Sequence, residues 1–78
     1  MTIFANIETD NGTLKRVETR TYKGGNFLDL RAHFEPIPGS GSWVATKKGI
    51  TFRPSELAEL HAAIGAAIEE YAQEEAAA

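Results

Sequence analysis

Residues 13–35 read Thr13-Leu14-Lys15-Arg16-Val17-Glu18-Thr19-Arg20-Thr21-Tyr22, then Lys23-Gly24-Gly25-Asn26, then Phe27-Leu28-Asp29-Leu30-Arg31-Ala32-His33-Phe34-Glu35, and this stretch decides the fold. The first run is rich in Thr, Val and Tyr, whose branched or aromatic side chains suit a pleated surface. Side chains alternate across a strand, so Val17, Thr19 and Thr21 share one face while Arg16, Glu18, Arg20 and Tyr22 share the other. In the last run Leu28, Leu30, Ala32 and Phe34 have one parity, and Phe27, Asp29, Arg31 and His33 have the other. Lys23 to Asn26 is the turn between the two strands.

Upstream, Thr2 to Glu8 is a short β-prone segment ended by Asp10-Asn11-Gly12, where Asn and Gly tolerate the positive φ of a hairpin turn. Downstream, Pro36-Ile37-Pro38-Gly39-Ser40-Gly41-Ser42 cannot comfortably continue a ladder and reads as a flexible connection. Trp43 to Phe52 resumes as a fourth strand, interrupted by Lys47-Lys48-Gly49, where the glycine suggests a bulge or a close approach of backbone to another group. Pro54 then opens a helix at the first-turn position, where its missing N–H costs nothing, and Glu56 places negative charge near the positive end of the macrodipole. Leu57, Leu60, His61, Ile64, Ile68 and Tyr71 recur at intervals of three and four and form one apolar stripe. The order is β-β-β-β-α in one domain, residues 1–73, with an acidic, alanine-rich tail at 74–78 that is expected to fray. The stripe is long for so small a sheet, so part of it is free for the same helix of a second subunit. Gly65 in mid-helix would suit the close approach of another backbone, or is incidental.

At 78 residues a chain has room for one core and buries a modest share of its surface, which also favours dimerisation. With no cysteine there is neither a disulfide nor a thiolate metal site to reinforce it, as suits a reducing cytosol. No basic region with a long apolar run opens the chain and no membrane-spanning stretch follows, so a cytoplasmic protein is expected. The net charge of -3 is segregated: residues 1–53 hold all 8 Lys and Arg against 5 acids, a balance of 8 - 5 = +3, and residues 54–78 hold 6 acids and no base, a balance of -6. One surface can therefore meet phosphate while the other is kept in water.

Catalysis is not indicated. His33 and His61 stand in no metal-ligand spacing, and there is no nucleophile elbow, phosphate loop or carboxylate dyad. What the chain does carry is bases interleaved with aromatics. Tyr22 with Lys23, Arg31 with His33 and Phe34, and Trp43 with Lys47 and Lys48 combine phosphate-seeking cations with rings on which any base can stack. Arg16, Arg20 and Tyr22 make a basic stripe with a ring at its end. Phe34 shares the parity of Leu28 and Leu30 and reads equally as core. Phe4, Phe27 and Phe52 are assigned to the core or the dimer contact.

The segment Tyr22-Lys23-Gly24-Gly25-Asn26-Phe27-Leu28-Asp29-Leu30-Arg31-Ala32-His33-Phe34, followed after a gap by Lys47-Lys48-Gly49-Ile50-Thr51-Phe52-Arg53-Pro54 and a helix, resembles the positive cofactor four family of transcriptional coactivators. That resemblance implies a curved, four-stranded antiparallel sheet with a C-terminal helix, paired as a homodimer whose grooves bind single-stranded DNA. It also implies stacking by Tyr22 and Phe34 and basic contacts from Lys23, Arg31 and Lys48, with Lys47 at a further basic position. Gly25 stands where the family commonly has a base. With no basic tail ahead of the domain, the chain is more like bacterial and phage members, with work at the nucleoid.

The resulting expectation is an α+β homodimer, without cofactor or metal, that binds single-stranded DNA, or RNA, irrespective of sequence. Tyr22, Phe34 and Trp43 would stack bases and Arg16, Arg20, Lys23, Arg31, Lys47 and Lys48 would contact phosphate. Leu57, Leu60, Ile64, Ile68 and Tyr71 would form the dimer contact, and a transcription or replication protein is a further candidate partner. The competing expectation is a protein-interaction dimer that uses the sheet edge or the acidic helix, with its bases merely solvated.

Overall fold

The computed structural model describes residues 2–9 and 12–77. Strands β1 (Ile3–Glu8), β2 (Thr13–Tyr22), β3 (Gly25–Phe34) and β4 (Val44–Phe52) are followed by a 3-10 turn (Pro54–Glu56) and helix α1 (Leu57–Ala77). The strands form one open, curved antiparallel sheet in the order β1-β2-β3-β4, the architecture expected from the alternation pattern.

Turn chemistry sets the register. Tyr22 pairs with Gly25 and Thr21 with Asn26, so the β2–β3 connection is two residues long, Lys23-Gly24, and tighter than the four that composition suggests. Lys23 (φ 49°) and Gly24 (φ 77°) both adopt positive φ, the combination whose twist matches that of the flanking strands. At the β1–β2 turn Gly12 has φ 76° and the Thr9 N–H donates to the Thr13 carbonyl at 2.9 Å. Asp10 and Asn11, the rest of that turn signal, lie outside the described residues.

The segment 36–42, read from its prolines and glycines as flexible, is wrapped round a carboxylate. Glu35 accepts the N–H of Gly39 through Oε1 at 2.9 Å and that of Gly41 through Oε2 at 2.7 Å. The 3-10 turn is tied in a similar way, with the Arg53 N–H donating to Glu56 Oε1 at 2.8 Å and the Glu56 N–H to the Arg53 carbonyl at 2.9 Å.

Cross-strand pairs share a face, so register sorts the sheet into two sides. One carries Leu14, Arg16, Glu18, Arg20 and Tyr22 opposite His33, Arg31, Asp29, Phe27 and Gly25. The other carries Val17, Leu28, Leu30, Ala32 and Phe34 with Phe52, Ile50 and Val44. The turn and α1 start on this second, apolar face: Pro54 and Leu57 share a recess with Phe4, Thr19 and Leu28, and Leu60 lines another with Phe52. Beyond those turns the helix leaves the sheet, and Ile64, Ile68 and Tyr71 are 47%, 63% and 65% exposed. The radius of gyration is accordingly 15.2 Å, against about 11–12 Å for a compact chain of this length. Around Gly65 nothing within 4 Å would meet a Cβ, so no backbone of the same chain approaches it.

The best-buried residues lie on the polar face. Leu14 is 2% exposed, and Glu18, Asp29 and His33 are buried beside it. Leu14 is the only buried apolar residue among the described residues, so truncation removes a large part of a small core. Leu14→Ala is expected to cost about 2–3 kcal/mol in urea unfolding, with an unchanged strand content by circular dichroism when folded.

Candidate nucleic-acid interface

The polar face is organised round one ion pair. Arg31 Nε donates to Asp29 Oδ2 and Nη2 to Asp29 Oδ1, each at 3.1 Å, while Nη1 donates to the Thr46 carbonyl at 2.8 Å. The fork is bidentate and largely dry, with side-chain exposures of 15% for Arg31 and 1% for Asp29. Asp29 and Arg31 are two apart on β3, so the alternation that puts them on one face also lets the arginine fold back along its own strand.

Gly49 makes room for this arrangement. It pairs with Arg31 across the β3–β4 ladder, and a Cβ there would lie 2.6 Å from Arg31 Cζ and 2.9 Å from Nε. The close approach that the glycine suggested in the sequence is therefore to the guanidinium lying flat on β4. Immediately beyond, the register shifts: Arg31 faces Gly49 and His33 faces Ala45, leaving Thr46, Lys47 and Lys48 opposite Ala32 alone. The bulge is held by Thr46, whose Oγ1 donates to the Ala32 carbonyl at 2.8 Å and accepts from the Lys48 N–H at 3.1 Å. Lys47 and Lys48 are displayed from it, exposed. His33 Nδ1 lies 3.2 Å from the Arg31 carbonyl, which fits a ring protonated at that nitrogen.

Other candidate residues fall in two places. Arg16, Arg20, Tyr22 and Arg31 share the polar face, with Lys23 at its end, its Nζ 5.4 Å from the centre of the Tyr22 ring. Arg16 is tethered by Nε to Asn6 Oδ1 at 2.8 Å, and among the described residues its terminal nitrogens have no hydrogen-bond partner. Tyr22 is 62% exposed. Phe34 is on the opposite, apolar face, paired with Val44 next to Trp43. It sits nine residues along β3 from the Gly25 that pairs with Tyr22, roughly 30 Å at strand rise. Within one chain Tyr22 and Phe34 thus do not form a single platform. Lys48 also turns to the apolar side, where it lines a recess of about 390 Å³ with Ile7, Lys15, Val17, Leu30 and Ala32.

Phe27, assigned to the core or dimer contact from the sequence, is half-buried: it pairs with Arg20 on the polar face, lines an open recess with Arg20, Tyr22 and Thr51, and also borders the apolar recess of Phe4, Leu28, Pro54 and Leu57. The signal was present in its parity with Asp29 and Arg31.

Breaking a buried pair leaves an uncompensated charge and costs several kcal/mol. Asp29→Asn is expected to destabilise the fold by about 3 kcal/mol and to speed amide exchange at Lys48 in the bulge, measured by urea unfolding and hydrogen exchange. Gly49→Ala should loosen the same bulge with every charge retained.

The family model described as Transcriptional Coactivator p15 (PC4) matches residues 9–63. Comparison with curated proteins returns no match. Among solved structures, a PC4 homolog from Burkholderia pseudomallei in its orthorhombic crystal form is 26% identical, with a TM-score of 0.76 over 88% of this chain and 90% of that one. Its tetragonal form gives 26% identity and a TM-score of 0.71 over 85% and 94%. The matched segment contains the whole β2–β3–β4 unit with its ion pair and bulge, and extends into α1; the chain belongs to the PC4 family.

Proposed function

We propose that the protein binds single-stranded nucleic acid, DNA in the first place, without reading its sequence. The observation that carries this is the ring and cation edge of the polar face, exposed Arg20, Tyr22 and Lys23 with half-buried Arg16 beside them, on a PC4 fold. Cations at strand spacing can follow a phosphate backbone, and an exposed ring can stack any base, which accounts for binding indifferent to sequence. Lys47 and Lys48 add charge at the bulge, Lys48 on the apolar side, and Phe34, exposed on that side, offers a second ring at the far end of β3, with Trp43 next in sequence to its partner Val44. Arg31 has three of its N–H directions committed to Asp29 and Thr46, so its contribution runs largely through the bulge.

A homodimer completes the reading. Ile64, Ile68 and Tyr71 project an apolar stripe that the sheet of the same chain leaves exposed, continuous with the half-buried Leu57 and Leu60. A second copy covering it would remove about 25 cal/mol of unfavourable hydration per Å² of apolar surface. The family's description as a transcriptional coactivator supports a role in transcription, and we extend it to exposed DNA strands in replication or repair, in the cytoplasm at the nucleoid. The same stripe and the six acids of residues 54–78 also favour a second reading, a dimer that docks another protein through α1 and leaves the sheet's bases solvated.

Fluorescence anisotropy with labelled oligonucleotides of about 20–30 nucleotides, single-stranded and duplex, at several salt concentrations separates the two. Tight binding to unrelated single strands, weaker duplex binding and a log–log salt slope of about -0.7 per phosphate contacted are expected. Tyr22→Ala and Phe34→Ala should each cost about 1–3 kcal/mol per base contacted. No binding at low salt would leave the protein-docking reading. For the dimer, Ile64→Glu with Ile68→Glu should shift the sedimenting species from dimer to monomer, and a wild-type protein that already sediments as a monomer would refute it.

A further inference from the structure

At the Tyr22 end of the sheet lies a recess of about 250 Å³, open to solvent and lined by Arg20, Tyr22, Phe27 and Thr51. It is smaller than the roughly 300–1,000 Å³ of sites that enclose a whole drug-sized ligand. We infer that this recess is a nucleobase site in which Phe27, and not Tyr22 alone, supplies the stacking surface. The inference rests on the single-strand binding proposed above and adds a residue and a subsite to it.

Three features point to a flat, electron-rich guest. The first is the pair of rings: Tyr22 and Phe27 stand on adjacent strands of one face, at neighbouring cross-strand positions, since Tyr22 pairs with Gly25 and Arg20 with Phe27. Second, Arg20 is exposed and Lys23 lies over Tyr22, so a base entering here brings its phosphates towards cations. Third, the glycine at 25 sets the position of the ring. An ideal Cβ there would stand 3.0 Å from Phe27 Cε2 and 3.1 Å from Cζ, so the ring edge rests on the bare backbone of residue 25. A longer side chain at 25 would compete with Phe27 for that space.

The test compares a labelled single-stranded oligonucleotide with an abasic one of equal length and equal phosphate count. Phe27→Leu keeps apolar bulk and removes the ring. It is expected to weaken binding of the base-bearing strand about 5- to 150-fold, the equivalent of one lost stack, with abasic binding and the salt slope unchanged. Gly25→Ala, which would displace the ring without altering it, should give a smaller loss with the same selectivity and serves if the Leu variant does not fold. Equal losses on both strands, or no loss on either, would overturn the assignment of Phe27 while leaving single-strand binding intact. Failure of the wild type to bind either oligonucleotide would overturn both.

Discussion

The bidentate pair between Arg31 and Asp29 is the interaction on which the functional half of this molecule depends. Asp29 is buried, and a buried carboxylate is tolerable only when its charge and hydrogen-bonding capacity are met. Arg31 meets both and uses its remaining reach to hold the Thr46 carbonyl of the next strand. That contact crosses fifteen positions in sequence and ties the bulge to the sheet. Because the guanidinium must lie flat on β4, residue 49 has to lack a Cβ. One ion pair thus accounts for the glycine, the register shift and the placement of two lysines.

The two faces of the sheet answer different physical demands. On the polar side, burial is achieved by side chains of the sheet itself, with Leu14, Glu18, Asp29 and His33 packed beneath their neighbours. At the Tyr22 end that cover thins, and rings and cations stand exposed together. The apolar side is served by the 3-10 turn and the first turns of α1, after which the helix departs. A chain of this size would be expected to fold its helix down over the remaining apolar surface. The extended shape instead leaves Ile64, Ile68 and Tyr71 exposed on α1. The acids of α1 keep that projection in water, and the bases stay on the sheet.

Much of this was legible in residues 13–34. Alternation is local, so the sides that residues share within each strand followed from parity, Arg16, Arg20 and Tyr22 together on β2 and Phe27, Asp29 and Arg31 together on β3, while the pairing register decided that these two sets share one face. The helix stripe, the proline that precedes it and the opposition of a basic sheet to an acidic helix were legible for the same reason. The Glu35 carboxylate cannot be foreseen as the organiser of residues 36–42, since nothing in a Pro- and Gly-rich composition says which acceptor its N–H groups will find.

The sequence by itself determined the element order, the parity of the strands and the segregation of charge, because each is set by neighbours within a few positions along the chain. The tertiary structure alone decided what those residues do. Pairing β3 with β4 turned Arg31 from an apparent phosphate ligand into the partner of Asp29, the register put Phe34 on the face opposite Tyr22, and the bare backbone at Gly25 let Phe27 settle beside Tyr22. The physical reason is that burial, ion pairing and close contact are fixed by groups brought together from distant strands, and a residue's own identity does not specify which of them it will meet.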